Sequence, residues 1–492
     1  LRRSQVTGGG GSRHTQSSGR CGCGRIAHRN ERPGSARVVR RFVAWHDVRM
    51  NERTYQQLLD TDTHEVPVVL RRTSSAAFDD ADVPVSRYTS REFHDLEVER
   101  LWRRVWQFAC REEEIAEVGS YVVYDIAHLS FIVMRTAPDT IKAYVNACLH
   151  RGRQLKDHSG RCSELRCSYH GFAWALDGRL ADVPARWDFP HVRDEEFCLP
   201  EAQVAVWQGF VFINPDPNAG SFAEFAAGLD EHFDRWNLTD RYIQAHVSKV
   251  IRANWKLVQE AFSEAYHVNA THPQTLVYLD DVSSQVDVWR NFARVITAAG
   301  TASPLLYWTP TPEEVLRHLL DIREDEPTPF PVPEGTDARA LLASITRARM
   351  RAVVGDEPGT GVDTWSDAEY LDNIYYTLFP NFHPWGAFNR IVYRFRPNGD
   401  DHTTAIMDVY FLSPFSGERP APAVTTHLGP DQPWTDAAEL GMLAKVFEQD
   451  TFNLPKVQKG LRQTVKPGIT LAHYQESKVR WFQYRLAEWL EL

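Results

Sequence analysis

The sequence predicts an α+β protein in which a small all-β unit precedes a larger half built from strands and long helices. Three observations carry that expectation. Short apolar runs alternate with turns from about residue 118 to 215. A Pro-Asn-Gly-Asp-Asp turn at 397–401 separates two strand-like runs, and helical periodicity returns near the C-terminus. Strands followed by long helices are the pattern of an α+β architecture. At 492 residues, 43% hydrophobic and 24% charged, the chain has the length for two or three domains and the apolar content for a substantial core.

Residues 1–49 differ from the rest. They hold Gly8-Gly9-Gly10-Gly11, scattered Ser and eleven Arg, and few periodic apolar positions, so they are expected to form a disordered tail. The natural start is expected near Met50. Cys21 and Cys23 form a C-x-C without a second pair, which is too little for a metal site. The net charge of −10 combines +9 from this tail with −19 from the body. A body that acidic argues against nucleic acid as a partner. No apolar run reaches the roughly 18 residues of a membrane span and no signal-peptide h-region is present, so a cytoplasmic location is expected. Seven Cys in such a chain point to metal ligands or plain thiols rather than a disulfide framework.

Element by element, 50–104 reads as an N-terminal helical segment packing on the larger C-terminal half. Within it and just beyond, a helix is expected over 91–108 from Phe93, Leu96, Val98, Leu101 and Val105. Residues 105–215 form the all-β unit, with strands at 121–124, 131–134, 141–145, 204–207 and 210–213. The rest, 216–492, is read as one unit. It has a helix over 254–268, a mixed region, and a Pro-rich connector at 327–333 between helices at 312–322 and 336–353. Strands at 390–396 and 403–412 and helices at 434–449 and 474–491 complete it.

The first chemical constellation is Cys148-Leu149-His150 with Cys167-Ser168-Tyr169-His170. Two soft thiolates and two imidazoles from two short loops are what a [2Fe–2S] cluster with one His-ligated iron requires. The same four residues could also hold a tetrahedral zinc. Cys110, Cys162 and Cys198 are read as ordinary thiols. The second constellation lies on Glu264, His267 and His272. A regular helix would turn the two imidazoles about 140° apart, so both reach one metal only if the helix ends or widens between them, and Thr271-His272-Pro273 favours an ending. Two His and one carboxylate with open positions make the facial triad of Fe(II) oxygenases. Asp450 is the best distant carboxylate, because it shares a helical stripe with Leu443, Val446 and Phe447, where an unpaired charge would be costly. Glu448 and Asp408 are weaker candidates. The alternative for Asp450 is a frayed surface turn before Pro455.

His150-Arg151-Gly152, Tyr169-His170-Gly171-Phe172 and the stretch from Trp174 to Gly178 resemble the Rieske motif. Asn254-Trp255-Lys256, Glu264-x-x-His267-x₄-His272 and the run from Glu448 to Leu461 resemble the mononuclear iron motif of the same family. The chain thus resembles the catalytic α subunits of Rieske non-haem iron aromatic-ring-hydroxylating oxygenases, over roughly 85–310 and 370–490. The resemblance implies an all-β Rieske [2Fe–2S] domain and a helix-grip (START/Bet v1-like) α+β catalytic domain. It implies a [2Fe–2S] cluster on Cys148, His150, Cys167 and His170, and a mononuclear Fe(II) on His267, His272 and Asp450. Glu264 would bridge His170 of one subunit to His267 of its neighbour; most members carry Asp there, and a subset acting on quaternary amines carries Glu. Ala261 stands where Asn is frequent, and Arg153 and Ser168 stand where respiratory-type Rieske proteins carry a bracing Cys pair.

The resemblance further implies O₂ and a small organic substrate, expected to be aromatic, as in aromatic hydrocarbon catabolism. Electrons would come from NAD(P)H through a reductase or ferredoxin, and the assembly would be a homotrimer, with or without a β subunit. Di- or monooxygenation and demethylation share these ligands. Two other readings stand beside it. A Rieske electron carrier explains only 105–215, and a non-catalytic helix-grip binding protein leaves Glu264, His267, His272 and Asp450 unused. Cavity walls are expected from Phe262 and from the stretches 378–382 and 406–410, although core packing explains any one of these residues equally well.

Overall fold

The computed structural model describes residues 53–323, 325–354 and 361–492. The expectations for residues 1–49, including Cys21, Cys23 and a start near Met50, lie outside these residues.

The first sheet is antiparallel and seven-stranded. Its order is Gln107–Arg111, Phe210–Asn214, Glu201–Trp207, Thr140–Val145, Leu129–Ala137, Ser120–Ile126 and Gly160–Arg161. The five expected strands are all present. A separate three-stranded sheet, Leu165–Arg166, Ala173–Trp174 and Leu180–Asp182, carries the second cysteine loop. One expectation fails here. The helix read over 91–108 ends with Arg91–Glu97 and a π-type turn at Val98–Trp102, and Gln107–Arg111 is a strand. Both faces of that strand are buried, and Phe108 packs against Phe382 and Tyr410 of the second sheet at 5.2 and 5.6 Å. A strand covered on both faces shows a continuous apolar run instead of alternation, so periodicity could not separate it from the helix before it.

The second sheet has eight strands in the order Leu279–Val288, Phe292–Ala299, Asn373–Leu378, Phe382–Pro384, Ile391–Asn398, Asp401–Pro414, Arg241–Ile251 and Thr426–Leu428. All neighbours are antiparallel except the last pair. The turn at 397–401 joins two of them, with Gly399 at φ +55° and Asn398 opposite Asp401. Six of these strands, Arg241–Ile251, Leu279–Val288, Phe292–Ala299, Asn373–Leu378, Phe382–Pro384 and Thr426–Leu428, go beyond what the sequence reading assigned. The helix expected over 434–449 is displaced. Two 3₁₀ turns, Trp434–Asp436 and Ala438–Leu440, lead to Gly441 at φ +56°, and the helix proper is Leu443–Leu461, continuing through Pro455. The final helix is Ser477–Leu490. The connector forms helices Pro312–Leu319 and Ala338–Val354.

The Asn254-Trp255-Lys256 run is a structural lock. Asn254 caps helix Trp255–Ala261 through its side chain. Trp255 Nε1 and Lys256 Nζ both donate to the carboxylate of Glu97, at 3.2 and 2.5 Å, and the Glu97 and Lys256 side chains are fully buried. The N-terminal segment is thereby tied beneath the helix that leads into the second constellation. One turn on, Glu260 accepts from Tyr88 Oη and Gln483 Nε2. Burial pushes its carboxyl up to about 7, against hydrogen bonds from Gln483 and Tyr88 that hold it down. A carboxyl with a raised folded pKa favours its protonated form, so stability falls as pH rises from about 4.5 through about 7. In Glu260→Gln that slope is expected to flatten relative to wild type, read as the difference between urea midpoints across this window.

Candidate iron sites and their cavity

The two cysteine loops are built alike. Cys148 N donates to Arg153 O at 2.8 Å and Gly152 N to Cys148 O at 2.9 Å; Cys167 N donates to Phe172 O at 2.8 Å and Gly171 N to Cys167 O at 3.0 Å. Gly152 and Gly171 sit at φ +75° and +83°, which is why each His-containing loop needs Gly at its end. The loops bring the buried thiols of Cys148 and Cys167 into hydrogen-bonding contact, and burial pushes the Cys148 thiol up. The rings of His150 and His170 lie 4.7 Å apart. His150 stacks on Phe172 at 4.6 Å, and its buried Nδ1 has no hydrogen-bond partner. Two paired thiols beside two imidazoles, one with an orphaned ring nitrogen, fit the donor set of a Rieske cluster. His170 is exposed. Cys110, Cys162 and Cys198 are free thiols.

The second constellation converges by a different backbone route from the one expected. A single helix over 254–268 does not form. It stops at Ala261, turns follow, and a one-turn helix Val268–Thr271 is flanked by His267 and His272. Glu264 ties down the turn that follows. Its carboxylate accepts from the His267 backbone N at 3.0 Å, a side-chain contact that competes with helix continuation. Ser263 Oγ also bonds back to Gln259 O. The two imidazoles then face each other, with centroids 5.3 Å apart.

Asp450 enters from the helix interior, only 5% exposed, so it is not in a frayed turn. His272 Nε2 lies 2.9 Å and His267 Nε2 3.5 Å from Asp450 Oδ1. One ligand atom from each of the three lies within 4.8 Å of the others, the arrangement a small cation needs. The other ring nitrogens are held from behind, His267 Nδ1 by Glu264 Oε1 at 2.7 Å and His272 Nδ1 by Gln449 Oε1 at 2.8 Å. Glu264 and Gln449 thus each offer an acceptor to one Nδ1, which leaves both Nε2 atoms facing Asp450, the orientation metal-ligating His require. Burial pushes the His267 imidazole down, but hydrogen bonds and charge from Asp450 and Glu264 outweigh it and raise the group to about 10. Burial pushes Asp450 up, and the two His more than offset it, leaving it below the usual carboxylate range. Carboxylates that draw a proton this strongly onto an imidazole suit a bound cation in that proton's place. The weaker candidates point elsewhere. Glu448 accepts from Trp434 N, and Asp408 is clasped by Arg394 and Arg396.

These residues open onto a cavity of about 760 Å³. Phe262 lines it as expected. The stretches 378–382 and 406–410 do not; Leu378, Phe379, Phe382, Met407, Val409 and Tyr410 are core. The walls come instead from Tyr375, Trp385, Ile391, Tyr393 and Phe447, and from Met350 and Val353 on the connector helix. Gln449 and these wall residues were not read from the sequence.

Residues 105–193 match the Rieske [2Fe-2S] domain, and residues 222–492, more than half of the chain, match the family described as ring hydroxylating alpha subunit (catalytic domain). The chain belongs to the ring-hydroxylating alpha-subunit family. This ring-hydroxylating alpha-subunit chain is 28% identical over 209 residues to the glycine betaine monooxygenase oxygenase subunit of Pseudomonas aeruginosa (strain UCBPP-PA14), covering 41% of this chain and 48% of that one. To the benzene 1,2-dioxygenase subunit alpha of Pseudomonas putida (strain ATCC 700007 / DSM 6899 / JCM 31910 / BCRC 17059 / LMG 24140 / F1) it is 29% identical over 225 residues, 43% of this chain and 50% of that one. The alpha-subunit chain therefore spans about half the length of the curated relatives it matches. Its fold is shared with the quaternary ammonium Rieske monooxygenase CntA, at a TM-score of 0.57 and 19% identity over 83% of this chain and 95% of that one. No described helix is long and apolar enough to cross a membrane.

Proposed function

We propose that this chain is the catalytic subunit of a Rieske-type oxygenase that uses O₂ and electrons originating from NAD(P)H, delivered by a reductase or ferredoxin, to hydroxylate or demethylate a small organic substrate with an apolar, aromatic-sized body. The observation that carries this reading is the convergence of His267 Nε2, His272 Nε2 and Asp450 on the wall of the cavity, with both Nδ1 atoms already engaged. In this reading Cys148, His150, Cys167 and His170 hold a [2Fe–2S] cluster, and His267, His272 and Asp450 hold one Fe(II). When bound, these groups supply one-electron reduction and O₂ activation. The protein's own part is orientation and exclusion. Glu264 and Gln449 fix the two imidazoles by holding their Nδ1 protons. Phe262, Ile391, Tyr393 and Phe447 keep water from the substrate's body.

Glu264 has a second role in this reading. It faces His267 within the chain, and the exposed His170 is available to contact Glu264 of another copy, so a homotrimer completes the electron route; a β subunit is compatible with it. Two tests bear on the reading. Iron analysis of purified protein is expected to give about three iron atoms per chain, two from the cluster and one from the triad. A value of about two leaves an electron carrier or a binding protein and removes the oxygenase reading. Gln449→Ala, which frees the His272 ring behind Nε2, is expected to weaken Fe(II) retention by about 10–100-fold in a chelator titration. Unchanged retention would show that Gln449 does not position the ligand.

A further inference from the structure

Among the described residues the cavity carries one arginine or lysine, Arg390, just before strand Ile391–Asn398. It is exposed, and no carboxylate among the described residues pairs with it, whereas Arg294, Arg339 and Arg394 each clasp a buried aspartate. Its head is nonetheless held in place. Arg390 Nη1 donates to Gln244 Oε1 at 2.6 Å, the same oxygen receives Ser413 Oγ at 2.7 Å, and the guanidinium lies over the Phe411 ring at 4.6 Å. The edge formed by Nε and Nη2 makes no hydrogen bond among the described residues. Among the described residues, the only acids lining the cavity, Glu264 and Asp450, are both engaged with imidazoles. Among the described residues the cavity thus offers an unpaired cation at one end and no free anion for a substrate ammonium group.

We propose that Arg390 forms an anion subsite at the cavity mouth, and that the substrate is an organic carboxylate whose apolar body runs from there toward His267 and His272. A preset guanidinium edge matches the two oxygens of a carboxylate in a bidentate fork. Arg390 immediately precedes the strand that carries Tyr393, so the two Cα atoms stand about 10 Å apart along the backbone. The Tyr393 ring packs on Phe447 at 6.0 Å, one helical turn before Asp450. Between them Ile391, Tyr393 and Phe262 give an apolar passage. This inference rests on the oxygenase reading for what happens at the far end, but the recognition of the anion stands on Arg390 alone.

Calorimetric titration of the anaerobic holoenzyme with 4-phenylbutyrate and with 4-phenylbutan-1-ol tests it. Wild type is expected to bind the carboxylate at least about tenfold more tightly than the alcohol. Arg390→Gln is expected to bring the two affinities together while leaving the alcohol's unchanged, and Arg390→Lys, which keeps charge without the fork, to retain part of the preference. Equal binding in wild type, failure of wild type to bind either compound, or a preference that persists in Arg390→Gln overturns the subsite. Where Arg390→Gln loses the alcohol as well, Arg390→Lys decides: a retained carboxylate preference upholds the subsite, and none overturns it. Iron content measured on the same samples separates the two levels, since a missing third iron sinks the oxygenase reading without touching the affinity ratio.

Discussion

Asp450→Ala is expected to remove the mononuclear iron and, with it, single-turnover oxidation. Loss of an outer partner of a ligating His costs about 10–100-fold in affinity or activity, and loss of a direct ligand costs at least about 100-fold. The two His would remain face to face, but the carboxylate that both approach would be gone. The visible spectrum of the cluster is the internal control. Its four donors sit on separate loops of the first domain and depend on no atom of Asp450. Iron content should fall by the equivalent of one atom while the cluster absorption stays. A variant that keeps its full iron complement would remove Asp450 from the ligand set.

The second large effect concerns stability. Glu97→Ala is expected to destabilise the fold by about 3–5 kcal/mol, because it leaves the Lys256 ammonium buried without its partner. Burial pushes Glu97 up and Lys256 down, and each charge is held chiefly by the other, with Trp255 Nε1 also donating to Glu97. Lys256 Nζ lies 5.2 Å from the Phe93 and Trp255 rings, and these faces offset part of the loss. The double variant Glu97→Met/Lys256→Met should recover most of the stability, since an apolar pair of similar volume often replaces a buried ion pair at little cost. Chemical denaturation of the three proteins measures this. A single variant no less stable than the double one would contradict the account.

Much of the site was legible because its chemistry is local. The spacings C-x-H and C-x₂-H announce loops that each deliver a thiolate and an imidazole, and the two glycines of those loops stand at positive φ. His267 and His272 were legible as a pair, but the backbone route between them was not. The pattern continues as a helix to residue 268, whereas the chain leaves the helix at Ala261 and turns, with Glu264 accepting from the His267 amide. Asp450 was reachable through its apolar stripe. Gln449 was not, since an amide beside a ligand has no spacing signature. The cavity walls were missed for a tertiary reason. Which residues of Asn373–Leu378 and Ile391–Asn398 face the iron site depends on strand pairing across the eight-stranded sheet.

Met350 and Val353 reach the cavity from Ala338–Val354, a helix of the connector rather than of the sheet. The same cavity is lined by Phe262 and Phe447, which lie on the stretches that carry His267 and Asp450. The connector thus shapes one wall of the chamber without supplying a proposed ligand. Exchanging Met350 and Val353 would reshape that wall while His267, His272, Asp450 and the side chains behind them stay as they are.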